Sequence, residues 1–138
     1  MPYPEMLVAP MRAELSKNGF EELRNEEDVN NAFEQSQGTM LLVVNSVCGC
    51  AAGSCRPGVL QSLTGDKKPE KLVTVFAGQD MDAVAKAREN MIPYPPSSPA
   101  IALFKDGQLV HMIERHNIEG RTAQMIADNL SSAYNQFC

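Results

Sequence analysis

The sequence predicts an α/β domain built on a central mixed sheet with helices on both faces. Three observations predict it. Two nearly unbroken apolar runs rich in branched residues, Thr39–Asn45 and Lys71–Phe76, have the composition of interior strands covered on both sides. The stretch between them holds a helix, so the pair forms a strand–helix–strand unit, which requires a parallel crossover. Two further strand-like runs, Ala100–Lys105 and Gln108–Ile113, are joined by Asp106-Gly107, the residue pair of a tight hairpin, so an antiparallel arm closes the sheet.

Along the chain, residues 6–17 carry Leu7, Val8, Met11 and Leu15 at helical spacing, and Asn18-Gly19 supplies a stop. Residues 20–24 read as a short edge strand. Asn25 is an N-cap with acids in the following turn, opening a helix over Val29, Ala32 and Phe33 that Gly38 ends. After the first interior strand a helix begins within the cysteine cluster and runs towards Leu63, with Pro57 kinking or restarting it. Thr64-Gly65-Asp66 and Pro69 mark a loop before the second interior strand. Asp80 then caps a helix through Met81, Val84, Ala87 and Met91. A proline-rich segment over 93–99 leads to the hairpin. From about Glu119 the chain turns helical, with Met125, Ile126, Leu130 and Tyr134 on one face. No repeat, low-complexity segment or linker interrupts this order, so residues 1–138 read as a single domain.

A chain of 138 residues with 43% hydrophobic content forms one core without covalent staples. Its four cysteines are therefore not a scaffold, and three of them fall within ten residues, Ser46-Val47-Cys48-Gly49-Cys50-Ala51-Ala52-Gly53-Ser54-Cys55. Clustering points to chemistry rather than loop closure. The first residues show no basic region followed by an apolar run, and no stretch approaches the ~20 apolar residues of a membrane span. The expected compartment is the reducing cytoplasm, where close cysteines are catalytic or metal-binding. A net charge of −5 with no Lys/Arg block argues against nucleic acid and anionic membranes as partners.

Cys48 stands where the first interior strand gives way to the helix. Free N–H groups and the positive end of the helix dipole favour thiolate over thiol there, and the thiolate is the nucleophile in disulfide exchange. Cys50 is near enough to attack a mixed disulfide formed on Cys48, and Gly49 lets the backbone bend between them. On regular helical geometry Cys55 is ~140° around the axis from Cys50 and ~10 Å along it from Cys48, which makes it a packed, unreactive thiol. The same arithmetic sets Arg56 two turns from Cys48, too far to pair with it. Cys138 is an exposed terminal thiol, or a resolving cysteine if the last helix packs near the site. The alternative is a zinc or iron–sulfur site on Cys48, Cys50 and Cys55, which would need a fourth ligand from Cys138, His111 or His116. Disulfide exchange needs no bound organic cofactor.

A strand, a cysteine pair at a helix start, and Ser98-Pro99 opening a hairpin together resemble the thioredoxin fold, whose signature cis proline faces the active cysteine. The resemblance is closer to the bacilliredoxins, thioredoxin-like proteins with a Cys-Gly-Cys motif. It is carried by Val44-Asn45-Ser46-Val47-Cys48-Gly49-Cys50-Ala51-Ala52-Gly53 and by Val75-Phe76-Ala77-Gly78-Gln79-Asp80. Pro96-Ser97-Ser98-Pro99-Ala100 with Leu103-Phe104-Lys105, and Ile118-Glu119-Gly120-Arg121, complete it in the same order. The resemblance implies a reductase of mixed disulfides between S-thiolated client proteins and bacillithiol, a small thiol of some bacteria. It implies Cys48 as the nucleophile that takes up the small thiol and Cys50 as the partner that closes an internal disulfide. Gly49, Ser98 and Pro99, the last in the cis form, are implied as the substrate-binding residues. Cys55 departs from the family pattern, which has a small apolar residue before Arg-Pro, and this leaves open which thiol resolves Cys48.

Overall fold

The computed structural model describes residues 2–35 and 37–138; Met1 and Ser36, both within the span read as one domain, lie outside the described residues. Helix α1 (Glu5–Ser16) is followed by strand β1 (Glu21–Glu22), helix α2 (Glu26–Glu34) and strand β2 (Thr39–Asn45). A wide π-helical turn, Ala51–Cys55, leads directly into α3 (Arg56–Ser62) and then β3 (Lys71–Phe76), α4 (Met81–Glu89) and the hairpin β4 (Ala100–Lys105) and β5 (Gln108–Ile113). Two helices close the chain, α5 (Arg115–Ile118) and α6 (Ala123–Phe137).

The five strands form one mixed sheet in the order β1-β3-β2-β4-β5, parallel on the β1–β3–β2 side and antiparallel from β2 through β4 to β5. Every residue of β2 is buried, because strands flank it and helices cover both faces. The pleat sends Leu41 and Val43 to one face, where they pack with Leu15, Val59, Leu103, Ile126 and Leu130 beneath α1, α3 and α6. Met40, Leu42 and Val44 face the other way, into a second core with Val29, Val73, Val84 and Phe104 beneath α2 and α4. Each such fully buried aliphatic side chain stabilises the fold by about 1.5–3 kcal/mol. Phe33 closes the second core edge-on to Phe104, with ring centroids 4.9 Å apart.

The turn chemistry explains the element boundaries. Asn25 Oδ1 accepts the Asp28 N–H at 2.8 Å, as a helix cap should. Asp106 and Gly107 are both left-handed, with φ of 50° and 81°, which is what a two-residue hairpin needs to match strand twist. The Asp106 carboxylate also accepts the Gly38 N–H at 2.7 Å, tying the hairpin to the start of β2.

Several expectations need correction. The edge strand narrows to Glu21–Glu22, and α4 ends at Glu89, leaving Met91 buried in the turn beyond it. Asp80 precedes α4 but makes no side-chain cap; its carboxylate is drawn to Arg12, at 2.6 and 3.1 Å. A charge-assisted pair with a buried arginine outweighs a single N–H contact. The helix expected from about Glu119 starts at Ala123, with Thr122 Oγ1 accepting the Met125 N–H, and a short unanticipated helix, α5, precedes it, opened by a capping box between Glu114 and Asn117. Met125 is half exposed rather than part of the buried face. No helix of the described residues is long and apolar enough to cross a membrane.

Candidate active site

Three polar side chains are buried where β2 ends: Asn45, Ser46 and Arg56. Buried polar groups must find partners, and here they find one another. Arg56 Nη1 donates to Asn45 Oδ1 and to the Ser46 carbonyl, both at 2.9 Å, and its Nε donates to Glu14 Oε2 on α1 at 2.8 Å. Asn45 Oδ1 also accepts the Ser46 N–H at 2.9 Å, while its Nδ2 donates to the Met11 carbonyl at 3.1 Å. Ser46 Oγ accepts the Cys48 N–H at 3.2 Å. The chain leaving the central strand is therefore pinned before it reaches the first cysteine.

Cys48 and Cys50 form a disulfide across Gly49, with Cα atoms 5.5 Å apart. The Cys48 carbonyl accepts the N–H of Ala51 at 3.0 Å and of Ala52 at 3.3 Å, so Cys48 is the residue from which the helical segment starts. Its sulfur accepts the Cys50 N–H at 3.3 Å. One amide of the first helical turn thus faces this sulfur, a contact of the kind that favours a thiolate over a thiol. Both cysteines are half-buried, and Gly49 between them is exposed. A Cβ built at Gly49 would meet no other atom within 4 Å, and its φ lies outside the left-handed region, so the glycine leaves an open approach rather than relieving backbone strain.

The Val44–Ala100 register brings the chain entering β4 alongside the chain leaving β2, with Ser98 and Pro99 beside the Asn45–Ser46 turn. The Ser98–Pro99 bond is cis, as the resemblance implies, and so is Ile92–Pro93, which no sequence feature marked. Arg115 holds this segment: its Nη1 donates to the Ser98 carbonyl at 3.0 Å and its N–H to Ser97 Oγ at 3.3 Å, while Glu119 accepts from its Nε at 2.9 Å.

Cys55 is fully buried among Ala51, Val59 and Ile126. Burial pushes its thiol up to about 12, against a smaller opposing pull from the Arg56 charge. It does not join Cys48 and Cys50 in a three-sulfur site, and among the described residues no group of three His, Cys, Asp or Glu side chains converges as a metal cage. His111 bonds Asn129 at 2.6 Å, and His116 is an exposed residue of α5. Cys138 is exposed. Helix α6 starts beside the cysteine turn, where Ser54 Oγ donates to the Arg121 carbonyl at 2.5 Å, and runs past the end of α3, where Tyr134 meets Ser62 at 3.0 Å. Fifteen helical residues span roughly 22 Å, which carries Cys138 to the far end of the domain from Cys50.

Among the described residues Arg56 makes no hydrogen bond to Cys48, as its spacing implied; what sequence reasoning missed is its reach to the Asn45–Ser46 turn. The Arg56 N–H bonds back to the Ala51 carbonyl, five residues earlier, and this wide turn rotates everything after it relative to a regular helix. The guanidinium thereby swings under the end of β2. A charged residue between Cys55 and the apolar Gly58-Val59 was the signal that could have located it.

A family model described as "Disulphide isomerase" matches residues 3–138. A bacilliredoxin of Cytophaga hutchinsonii is 61% identical over 97% of this chain and 98% of its own length. Bacilliredoxins of Salinibacter ruber and Bacillus cereus are 51% and 53% identical, covering 82% and 95% of their own lengths. Among solved structures, a Schistosoma mansoni thioredoxin pre-protein superposes with a TM-score of 0.58 at 16% identity, covering 85% of this chain and 96% of its own. The oxidised mitochondrial thioredoxin 3 of Saccharomyces cerevisiae gives 0.56 at 17% identity, covering 86% and 96%. At such low identity the structures speak for the fold alone, which is thioredoxin-like. With relatives above half identity over almost the whole chain, and a bonded cysteine pair at the head of a helix, the protein belongs to the bacilliredoxin family of thiol–disulfide oxidoreductases.

Proposed function

We propose that the protein reduces mixed disulfides between client proteins and a low-molecular-weight thiol, bacillithiol where the cell makes it, with Cys48 as the nucleophile. The observation that carries this reading is the Cys48 sulfur at the start of a helical segment, accepting the Cys50 amide and bonded to Cys50, beside an open Gly49.

The cycle begins from the reduced pair. Cys48 thiolate attacks the small-thiol sulfur of a client's mixed disulfide; a new sulfur–sulfur bond forms on Cys48, the old one breaks, and the client leaves as a thiolate that takes a proton from solvent. Cys50, deprotonated, then attacks the Cys48 sulfur and releases the small thiol, leaving the Cys48–Cys50 disulfide. A second molecule of small thiol, as its thiolate, can instead attack the small-thiol sulfur of the adduct, leaving as the small-thiol disulfide and freeing the Cys48 thiolate. An external thiol reductant restores the pair in the first route. Gly49 leaves room for the incoming disulfide, and the Ser98–Pro99 segment offers backbone beside the reacting sulfur. The alternative of a metal carrier draws no support from Cys55, whose sulfur is sealed in the core. A cysteine pair that must work from its free-thiol form suits a reducing cytoplasm.

Mass spectrometry of Cys50→Ser after exposure to a bacillithiol-modified protein tests this reading. Trapped bacillithiol on Cys48 is expected. An adduct on Cys55 or Cys138 instead, or none with any small thiol offered, would overturn it.

A further inference from the structure

A buried arginine one helical turn past the redox pair, bonded to the turn before it, is not needed to make a disulfide. Arg56 is 2% exposed, and burying a guanidinium is unfavourable unless its donors are satisfied. Two of its three acceptors, Asn45 Oδ1 and the Ser46 carbonyl, belong to the turn that delivers Cys48. The third is Glu14, whose side chain is 45% exposed. Ser46 Oγ in turn receives the Cys48 N–H, so Glu14 and Arg56 hold the Ser46 carbonyl while the side chain of the same residue holds the backbone of the nucleophile.

We propose that Arg56 is the positioning residue of the Cys48 site: it clamps the Asn45–Ser46 turn so that the sulfur meets the Cys50 amide, and Glu14 sets how much of its positive charge reaches that sulfur. This rests on Cys48 being the nucleophile. Other charged groups lie on the surrounding elements: Arg121, whose carbonyl meets Ser54, donates to the Glu119 carbonyl, and Asp128 on α6 accepts from Gln124. On α1, Arg12 pairs with Asp80, Glu5 and Glu22; on α5, Arg115 pairs with Glu119. The neighbouring thiols are Cys50, which shares the redox bond, and Cys55, which burial keeps protonated. Arg56 has Glu14 as its acidic partner, and that partner is half in water, where its field is screened more strongly than that of a buried cation. A net positive influence on the Cys48 thiolate remains.

Rates of Cys48 alkylation, measured on reduced protein with peptide mapping from mildly acidic pH to the alkaline plateau, decide the proposal. In Glu14→Gln, which removes a surface carboxylate and keeps the arginine, the ratio of acidic-end to plateau rate should rise about threefold. In Arg56→Met that ratio should fall about tenfold, with the plateau still reached at higher pH. A merely structural role would lower the melting temperature without moving the ratio. An unchanged or lower ratio in Glu14→Gln overturns the proposal, whether or not Arg56→Met folds. If Cys48 is not the fastest-labelled thiol of the unsubstituted protein, the assignment of the nucleophile fails instead, and the two failures are told apart in one experiment.

Discussion

Gly58 lies flat against Ile126. A Cβ added at Gly58 would come within 2.6 Å of the Ile126 Cβ and 2.9 Å of the Ala123 carbonyl oxygen, distances that real side chains do not tolerate. The glycine is what allows α3 to settle on α6, and α3 carries the cysteine turn at its head. Gly58→Ala should therefore destabilise the protein by about 1–3 kcal/mol in urea denaturation, because backbone must move to relieve the overlap. Gly49→Ala meets open space and should leave the denaturation midpoint near that of the unsubstituted protein, while slowing exchange with a protein mixed disulfide if that side is the approach. Equal destabilisation by both changes would contradict the packing described.

The cysteines should separate cleanly by substitution. Cys48→Ala should abolish single-turnover attack on a mixed disulfide. Cys55→Ala should leave it within a few-fold, and Cys138→Ser should leave it unchanged, since α6 carries that thiol away from the site. Peptide mapping of oxidised protein should find Cys48–Cys50. A Cys48–Cys55 bridge would show that the π-helical turn unwinds during turnover.

Stability should decline in alkali. Cys55 is held protonated in the fold up to about 12, against an ordinary value of 9.0, so between these limits the native state retains a proton that the unfolded chain loses. Stability is then lost as pH rises through this window, by up to about 1.4 kcal/mol per unit for one such group. Tyr134 acts in the same direction, its hydroxyl raised chiefly by burial. The Cys55→Ala variant, though less stable at neutral pH because of the cavity it leaves, should show a shallower alkaline decline in thermal scans. An equally steep decline would remove Cys55 as its cause.

Arg12 is a second buried guanidinium, enclosed by Asp80, Glu5 and Glu22 and lying 5.3 Å from the centroid of the Phe76 ring. It joins α1 to the chain leaving β3. Arg12→Met should be destabilising by about 3–5 kcal/mol, since it strands the largely buried Asp80 carboxylate. Arg12→Met combined with Asp80→Asn should recover much of that loss in chemical denaturation.

The legible parts of this protein were those decided by short-range chemistry. Thr39–Asn45 could only be an interior strand, because Met40-Leu41-Leu42-Val43-Val44 offers no polar side to solvent. Asp106-Gly107 marked a hairpin because few other pairs accept two left-handed residues in succession. Cys48, Gly49 and Cys50 stood out by composition and by their place after that strand. What escaped reading depended on contacts distant in sequence. Asp80 looked like a cap until Arg12, 68 residues away, claimed its carboxylate. Arg56 was rightly kept apart from Cys48 by helical spacing, but its bonds to Asn45 and Ser46, eleven and ten residues back, had no signature in that spacing. Residues 115–118 form a separate helix because Glu114 and Asn117 cap each other, a reciprocal contact with little signature in hydrophobic spacing.

The complete burial of β2 has a kinetic corollary. Amide hydrogens of Val43 and Val44 are shielded by strands on either side and cores above and below, and should exchange with solvent only when the whole domain opens. A few residues further on, Gly49, Ala52 and Gly53 stand at the surface. The change from the slowest exchanging backbone to solvent-exposed positions thus falls just past Asn45–Ser46, ahead of Cys48. Ala51 and Cys55, by contrast, are rooted in the first core, so the cysteine turn is anchored from behind at two buried positions while its tip stays open to solvent.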